Sequence, residues 1–254
     1  MAIENGVIIL EGNIGAGKTT LAHKISAAIK NLGLKSQTHE EPASGTNPFL
    51  DDYYKDPKAT AFKMQMFMLA KRFRTTMNAQ CNAADDGGWH VLDRSYYGDI
   101  CFANVQRKLG FFDENEFAVY LEHHRMMRTF LAMPSLAVFL KCGVARCQER
   151  ICKRARACES GIEDSYLSAL QSEIDDLERV LCRRCRTKAV DVSVDMNDAE
   201  LNDLAERIAI DACMADSPDA SFDYKGDWLV KRGERSKDQK LQKSCTNPLT
   251  SFPM

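Results

Sequence analysis

The sequence predicts an α/β protein built on a five-stranded parallel sheet with helices on both faces. Two observations support this fold class: short strand-like runs alternate along the chain with amphipathic helical patterns, and most of those runs are continuously apolar. Strands of a parallel sheet have that composition because helices bury both of their faces. Right-handed crossovers then place the carboxyl ends of all five strands on one edge, where we expect the functional residues.

The predicted elements follow one another in a regular order. The strands are expected at Val7–Glu11, Ser36–Glu40, His90–Asp93, Leu136–Lys141 and Ala189–Val194. The helices are expected at Thr19–Leu32, Pro57–Ala84, Tyr97–Leu109, Glu114–Met133, Val144–Ala157, Ser165–Cys182 and Asp198–Met214. The first helix has one apolar face, formed at helical spacing by Leu21, Ile25, Ala28, Ile29 and Leu32.

Composition restricts the class of protein. The chain has 254 residues, of which 44% are hydrophobic, so it can form one large domain with a substantial core. No apolar run approaches the length of a membrane span, and the net charge of −2 gives no general reason to expect a nucleic-acid partner. The first strand begins too early for a signal peptide to precede it, so we expect a cytoplasmic protein, or an intracellular one if it is viral.

Residues 1–215 are expected to form the domain, because the composition changes near Asp216. The segment 216–254 is rich in Lys, Asp, Ser and Pro, and we expect a polar tail that is disordered or loosely docked. The ten cysteines are scattered, which favours reduced structural thiols. Only Cys182 and Cys185 have the spacing of metal ligands, so a zinc site is the alternative for that pair.

The most specific motif is a phosphate-binding loop after the first strand. It fits G-x-x-x-x-G-K-[ST] at every fixed position, through Gly12, Asn13, Ile14, Gly15, Ala16, Gly17, Lys18 and Thr19. The glycines let backbone N–H groups turn toward a polyphosphate, Lys18 can reach the outer phosphates, and the hydroxyl of Thr19 can hold Mg²⁺. A strand before the loop and a helix after it supply the required context, and the helix N-terminus, including Thr20, also faces the phosphates.

Charged residues at two other strand ends carry further chemistry. Asp93, Arg94 and Ser95 end an apolar strand, where Asp93 is placed to hold Mg²⁺ and Arg94 to meet a phosphate or orient a carboxylate. Glu41 follows the second strand, and its carboxylate can accept a proton from an attacking hydroxyl. A helix cap or a loop acid is the alternative for Glu41.

A basic cluster ends the helix after the fourth strand. It contains Arg150, Arg154 and Arg156, of which the first two are four residues apart and share a helical face. Arginines in this position suit a lid that closes over a phosphoryl group in transfer, while a solvated basic face is the alternative. The chain lacks the N-K-x-D motif with which a GTPase reads guanine, so a kinase is favoured.

Together these motifs resemble the deoxyribonucleoside kinase family, especially its bacterial and viral deoxyadenosine/deoxyguanosine kinase branch, which is related to deoxycytidine kinase. The resemblance runs from about Ile8 to Ala212. It rests on the combination of Glu11–Thr20, Glu41-Pro42, Asn47-Pro48, Tyr53-Tyr54, Asp56-Pro57, Gln65 with Arg72, Asp93–Asp99 and Glu159–Ile162. It implies a P-loop kinase fold with a helical lid at about residues 150–162.

The resemblance also implies roles for single residues. Glu41 matches the general base for the deoxyribose 5′-hydroxyl, with Arg94 beside it. The matches on the substrate side are Tyr54 and Glu159 for the 3′-hydroxyl, Gln65 for the base edge, Arg72 and Asp99 for exocyclic groups, and Phe102 for stacking if a one-residue gap is allowed. Lys18, Arg150, Arg154 and Arg156 would stabilise phosphoryl charge.

We therefore expect a Mg²⁺-dependent kinase that transfers the γ-phosphoryl group of ATP to the 5′-hydroxyl of a deoxynucleoside in nucleotide salvage. Deoxyadenosine, deoxyguanosine or deoxycytidine is expected over thymidine, because relatives restricted to thymidine tend to lack the charged pair that Arg72 and Asp99 form. The resemblance further implies a homodimer, and we expect no nucleic-acid or membrane partner. Two alternatives stay open: a deoxynucleoside monophosphate kinase and a catalytically silent nucleotide-binding scaffold.

Overall fold

The computed structural model describes residues 5–41, 47–154 and 161–214, without the side chains of Tyr54 and Met214. The strands are β1 (Gly6–Gly12), β2 (Ser36–His39), β3 (Trp89–Asp93), β4 (Leu136–Lys141) and β5 (Thr187–Asp191). The helices are α1 (Lys18–Asn31), α2 (Leu50–Lys55), α3 (Pro57–Asp86), α4 (Tyr96–Lys108), α5 (Glu114–Arg128), α6 (Val144–Arg154), α7 (Asp164–Leu181) and α8 (Asp198–Met214).

The five strands form one parallel sheet in the order β2-β3-β1-β4-β5. The central strand β1 pairs on one side with β3 and on the other with β4, so that Ile8 faces Val91 and Leu136. All four residues from Val7 to Leu10 are buried, as expected for a strand that is covered on both faces. The predicted five-stranded parallel sheet is confirmed.

Helices cover both faces of this sheet. On one face α1 and α8 pack against each other, and Leu21, Ile25 and Ile208 form a core with Ile8 and Leu10 of β1. On the other, α3 and α7 contact β1, and α4 packs between them. The predicted flanking of the sheet by helices is therefore also confirmed.

One helix is added to the prediction, and, apart from α6, which reaches the edge of a described range, two elements end more than two residues from their predicted bounds. The short helix α2 is not anticipated by the sequence pattern. Helix α5 ends at Arg128 instead of Met133, because Thr129 and Phe130 turn the chain before Pro134. Strand β5 covers Thr187–Asp191 instead of Ala189–Val194, since the side chain of Asp191 accepts a hydrogen bond from the backbone N–H of Ser193 and turns the chain there.

Parts of two predictions lie outside the described residues. The helical lid is described through α6 and again from Gly161, whereas Arg156 and Glu159 fall in the intervening gap. The segment 216–254 is likewise outside, so its expected character stays a prediction. No helix in the described ranges is both long and apolar enough to cross a bilayer.

Candidate active site

The candidate site is a cavity of about 850 Å³ at the carboxyl edge of the sheet. Parallel strands bring the phosphate loop after β1, Glu41 after β2 and the Asp93-Arg94 pair at β3 to this one edge. Helices α3 and α4 supply the far wall, and α6 with the start of α7 closes the side above the loop. The cavity therefore collects most of the charged residues that the sequence singled out.

The phosphate loop has the backbone shape that its glycines predict. Gly15 and Gly17 have φ angles of +80° and +88°, in the left-handed region that glycine adopts without strain. A Cβ atom on Gly15 would also lie 2.6 Å from the carbonyl oxygen of Cys147 on α6. Glycine at this position thus allows both the turn of the loop and its close approach to α6.

Lys18 is buried at the centre of the loop. Its Nζ donates hydrogen bonds to the carbonyl oxygens of Gly12 (3.3 Å) and Asn13 (2.7 Å). Burial, together with the positive charge of Arg94, lowers the pKa of Lys18 to about 8. A bound polyphosphate would favour the charged form of this amine and offer it stronger acceptors than the two carbonyl groups.

Asn13 ties the loop to α7. Its Nδ2 donates to the carbonyl oxygen of Leu167 at 2.9 Å, and its Oδ1 accepts from the backbone N–H of Ile14 at 2.9 Å. The side chain is fully buried, so both bonds are made away from water. Asn13 therefore holds the loop against the helix that follows the lid.

Thr19 and Asp93 form the pair that the sequence assigns to the metal. The hydroxyl of Thr19 donates to Oδ2 of Asp93, whose residue is only 6% exposed. The other carboxylate oxygen of Asp93 is buried and has no hydrogen-bond partner among the described residues. A hydroxyl and an unsatisfied carboxylate oxygen are ligands that suit Mg²⁺, so the residues present fit the ion.

Glu41 lies between two arginines. Its Oε1 accepts from Nε of Arg72 at 3.1 Å and also from Nη2 of Arg72, while its Oε2 accepts from Nε of Arg94 at 3.1 Å. Burial alone would raise the pKa of Glu41, but the charges of the two arginines outweigh it and lower that pKa to about 2. Glu41 is consequently an ionised carboxylate at physiological pH.

Arg94 has an unusual backbone. Its φ of +66° is the one positive value among the non-glycine residues that the structure describes. The backbone N–H of Arg94 donates to the carbonyl oxygen of Leu10, and its guanidinium lies 4.7 Å above the ring of Phe102. Such strained conformations persist where the surroundings fix them, and they concentrate at functional sites.

Behind the far wall of the cavity lies a buried hydrogen-bond network centred on Asp99, which does not itself line the cavity. One carboxylate oxygen accepts from Nη1 of Arg72 at 2.5 Å, and the other accepts from Nε2 of Gln65 and the hydroxyl of Tyr120 at 2.8 and 2.7 Å. Burial and the charge of Asp99 raise the pKa of Tyr120, which keeps this phenol a donor. The ring of Phe102 lies 4.7 Å from the guanidinium groups of both Arg72 and Arg94.

Glu11 supports this arrangement from β1. Its Oε1 accepts from the backbone N–H and the hydroxyl of Ser95 at 3.0 and 2.7 Å, at the start of α4. Its Oε2 lies 4.0 Å from Nη1 of Arg94. Burial raises the pKa of Glu11, and the charge of Arg94 opposes that shift. Glu11 thereby joins β1, Arg94 and the first turn of α4.

The remaining predicted site residues either bond to groups outside the cavity or lie outside the described residues. Arg150 and Arg154 line the cavity, but Nη2 of Arg150 donates to the carbonyl oxygen of Val192 and to Asp195, at 2.9 and 3.1 Å. Its guanidinium is thus held at the end of β5. Arg156, Glu159 and the side chain of Tyr54 lie outside the described residues.

A zinc site at Cys182 and Cys185, the alternative from the sequence, gains no support in the described part of the chain. No group of three or more His, Cys, Asp or Glu residues there is arranged as metal ligands. The thiols of Cys182 and Cys185 donate to the carbonyl oxygens of Arg179 and Leu181.

Several residues of the site are missed by the sequence prediction. They are Gln106 behind Gln65, Tyr120, and the structural roles of Glu11 and Asn13. Tyr53, which belongs to one of the motifs that carry the resemblance, and Tyr166 line the cavity wall. Burial raises the pKa of Tyr166 to about 12, so its phenol stays protonated. Only Glu11 and Asn13 carry a signal in the sequence, because both belong to the motif that continues into the phosphate loop.

Comparisons with known proteins find a matching family and several relatives. The family model described as deoxynucleoside kinase matches residues 8–211. A deoxyguanosine kinase and a deoxyadenosine kinase of Dictyostelium discoideum are 37% and 33% identical over 166 and 169 residues, which are 65% and 66% of this chain. The matches span 56% and 65% of the length of those two proteins, less than two thirds of each.

A viral protein and a solved structure are also similar. A probable deoxycytidine kinase of fowlpox virus is 31% identical over 168 residues, which are 65% of this chain and 68% of that protein. The structure of a deoxyadenosine kinase from M. mycoides, with the products dCMP and a flexible dCDP bound, is 26% identical. It superimposes with a TM-score of 0.66 and covers 81% of this chain and 97% of that one.

Proposed function

This chain belongs to the deoxynucleoside kinase family, and from that premise we propose that it transfers the γ-phosphoryl group of ATP to the 5′-hydroxyl of a deoxynucleoside. The observation that carries the proposal is the position of Glu41. Its ionised carboxylate lines the same cavity as the phosphate loop and lies between two arginines. That geometry suits a hydroxyl acceptor placed opposite a bound triphosphate.

Glu41 would orient the 5′-hydroxyl and receive its proton. With a pKa of about 2, it accepts a hydrogen bond over the whole physiological range but is a weak base. A loose phosphoryl-transfer transition state makes little demand on the base until the new P–O bond forms. Proton transfer to Glu41 is therefore late, when bond formation has made the hydroxyl proton acidic.

Cationic groups around the loop would stabilise the transferring phosphoryl group. Lys18 and Arg94 lie within the cavity, and Arg150 with Arg154 would approach the phosphates from α6. Arg150 would then exchange Asp195 and the carbonyl group of Val192 for phosphate oxygens. Thr19 and Asp93 would hold Mg²⁺, which when bound supplies charge neutralisation between the β- and γ-phosphates.

The base would be adenine, guanine or cytosine in preference to thymine. Asp99 is a buried acceptor directly behind Gln65 and Arg72, which line the cavity, so a base edge that reaches this carboxylate must carry an amino donor. The 4-oxo group of thymine would instead face the carboxylate. The names of the relatives, which are deoxyguanosine, deoxyadenosine and deoxycytidine kinases, support the same preference.

The nearest alternative is a deoxynucleoside monophosphate kinase. Such an enzyme needs surplus positive charge for the phosphate of its acceptor. In the acceptor half of this cavity the charges of Arg72 and Arg94 are matched by those of Glu41 and Asp99. The charge balance thus favours a neutral nucleoside as the acceptor.

Release of ADP with deoxyadenosine and with its 5′-monophosphate as acceptors tests the proposal. We expect turnover with the nucleoside at least about 100-fold above that with the monophosphate, because an added phosphate has no unmatched cation to pair with. Higher turnover with the monophosphate would establish the alternative enzyme. Absence of ADP release with all four deoxynucleosides would instead favour a catalytically silent scaffold.

We also propose that the protein is a homodimer and that it acts in the cytoplasm, where ATP and deoxynucleosides are both present. Helix α4 is covered by α3, α5 and α7, whereas Val119 and Met126 of α5 are exposed seven residues apart, on one helical face. A second copy packing on α5 would bury them. Light scattering of the purified chain should give twice the mass of 28.6 kDa, and a mass of one chain at all concentrations would contradict the dimer.

A further inference from the structure

Asn47 lies in the wall of the cavity just before α2, and the fold uses only its oxygen atoms. The residue lines the cavity and is 8% exposed. Its side-chain Oδ1 accepts from the backbone N–H of Phe49 at 3.0 Å, and its backbone carbonyl oxygen accepts from the N–H of Leu50 at 3.4 Å. Both oxygen atoms therefore fix the turn that leads into α2, and the amide nitrogen has no part in it.

The amide nitrogen of Asn47 points along the cavity wall. A backbone N–H only donates, so Oδ1 must face Phe49 and Nδ2 must face the other way. There Nδ2 lies 3.5 Å from Sδ of Met68, which also lines the cavity. A thioether is a weak acceptor, and it occupies one of the two N–H groups. No oxygen atom of the described residues accepts from Nδ2, so the wall holds an N–H donor that a ligand can use.

The turn before α2 does not by itself require asparagine. Aspartate makes the same turn, in which a side-chain oxygen accepts from the N–H two residues on, and a carboxylate is the stronger acceptor. Asparagine adds only the amide donors. A buried donor that has no good acceptor costs stability, so its presence in a cavity wall indicates a ligand that accepts from it.

The contact with Met68 places this donor at the base end of the cavity. Met68 follows Gln65 by three residues and precedes Arg72 by four on α3, so the three share one helical face, and all three line the cavity. Gln65 and Arg72 are the residues at which the proposed function places the base edge with its exocyclic group. On a purine bound in that way, N3 and N7 are the ring acceptors that are left for another donor.

We infer that Asn47 is a substrate-binding residue, whose Nδ2 donates a hydrogen bond to a ring nitrogen, N3 or N7, of a purine deoxynucleoside. The inference rests on the proposed function, because it concerns recognition of the base in that same cavity. It adds a contact from the segment before α2 to those that α3 supplies. The relatives named as deoxyguanosine and deoxyadenosine kinases favour a purine.

The variant Asn47→Asp keeps the size of the side chain and the acceptor for Phe49, but it has no N–H to donate. We expect the KM for the preferred purine deoxynucleoside to rise about tenfold, since one hydrogen bond is lost and a carboxylate then faces the ring nitrogen. The kcat should change by less than about twofold, because the base is bound equally in the ground state and the transition state. Asn47→Ser serves the same test if the aspartate variant does not fold, since its hydroxyl can make the same kind of turn.

Analogues of the substrate separate a direct contact from a structural effect. The 3-deaza and 7-deaza analogues of the same nucleoside each replace one ring nitrogen by C–H and so lack that acceptor. With one of them, Asn47→Asp should leave the KM within about twofold of wild type, because the partner of Nδ2 is already absent. The analogue that behaves in this way identifies the nitrogen.

Asn197→Asp is the matched control for the change of an amide to a carboxylate. Oδ1 of Asn197 accepts from the backbone N–H of Glu200 at 3.0 Å at the start of α8, and this residue does not line the cavity. The control variant should leave the KM values for the nucleoside and for both analogues unchanged.

The KM values of wild type and variants for these three compounds decide the inference. A rise in Asn47→Asp that disappears with one analogue supports it. The same rise with all three compounds, no rise in the folded variant, or a wild type that accepts only pyrimidine deoxynucleosides overturns it. A wild-type chain that phosphorylates none of the four deoxynucleosides refutes the proposed function instead, which is a distinct result.

Discussion

At the scale of single residues, the chemistry of the site depends on how Glu41 is surrounded. Burial disfavours its charge, and two arginines restore it with hydrogen bonds to both carboxylate oxygens. The same arginines both pack on the ring of Phe102. Glu41 is thereby held in a fixed orientation, so that positioning of the hydroxyl contributes to rate along with proton acceptance.

Replacement of Glu41 by glutamine removes the proton acceptor and keeps the size of the side chain. We expect kcat to fall at least about 100-fold while the dissociation constant of the nucleoside changes only a few-fold, because the base edge is bound elsewhere. Single-turnover rates and calorimetry measure the two effects. Glu40→Gln is the control, since Glu40 is exposed and bonds His23; turnover near wild type in Glu41→Gln would exclude the proposed base.

The pKa of Lys18 predicts a limit on the alkaline side. In the empty enzyme, burial and Arg94 lower this pKa to about 8, so the amine loses its charge as the pH rises through that value. The kcat/KM for ATP should therefore decline above about pH 8, whereas kcat at saturating ATP should decline only at higher pH, because bound phosphates favour the charged amine. A kcat/KM profile that stays flat to pH 10 would show that Lys18 remains charged.

The sequence predicts which residues at the strand ends line the cavity, and it misses side chains that bond to them from behind. The position of three sets of residues could be predicted, because each set lies at the end of a parallel strand and all such ends lie at one edge of the sheet: Gly12–Thr19, Glu41 and Asp93-Arg94. Gln106 and Tyr120 are ordinary helix residues until α3, α4 and α5 pack together. Their partners come from 41 and 21 residues away, so no local spacing reports them.

At the scale of elements, the approach of α4 to β1 is the tightest constraint near the site. Glu11 fixes the start of α4 through Ser95, and Gly98 in the first turn lies against the Glu11 carboxylate. A Cβ atom on Gly98 would be 2.2 Å from Oε2 of Glu11. With a larger residue there, either the Glu11 carboxylate or the start of α4 would have to shift.

Gly98→Ala should therefore destabilise the protein and impair the site together. We expect the free energy of unfolding to fall by about 1–3 kcal/mol, and kcat/KM to fall with it, since Arg94 and Asp99 both depend on the position of α4. Gly143→Ala is the matched control, because a Cβ atom there meets nothing within 4 Å. Equal unfolding free energies for both variants in urea titrations would refute the close contact.

Element boundaries show where sequence patterns are informative. The long helix α3 and the central strands are predicted to within a few residues, because their burial imposes a clear period. Strand β5 is displaced by two to three residues, since its end depends on pairing with β4 and on the turn at Asp191, and Val194 is left 76% exposed. Helix α2 has six residues, too few for a helical period to be recognised.

At the scale of the whole molecule, the parallel sheet explains why residues from distant parts of the chain form one site. β1, β2 and β3 all end at the same edge, so the phosphate loop, Glu41 and Asp93-Arg94 meet there although they are far apart in the sequence. This convergence could be predicted from the sequence, because it follows from strand direction alone. The lateral order of the strands, with β3 beside β1, could not be read from the pattern.

The most direct test of the account follows a labelled phosphate. The protein is incubated with Mg²⁺, ATP labelled at the γ-position and each of the four deoxynucleosides, and the labelled products are separated. We predict label in the 5′-monophosphate of deoxyadenosine, deoxyguanosine or deoxycytidine, with less in that of thymidine. Label that stays in ATP or inorganic phosphate with all four nucleosides would contradict this prediction.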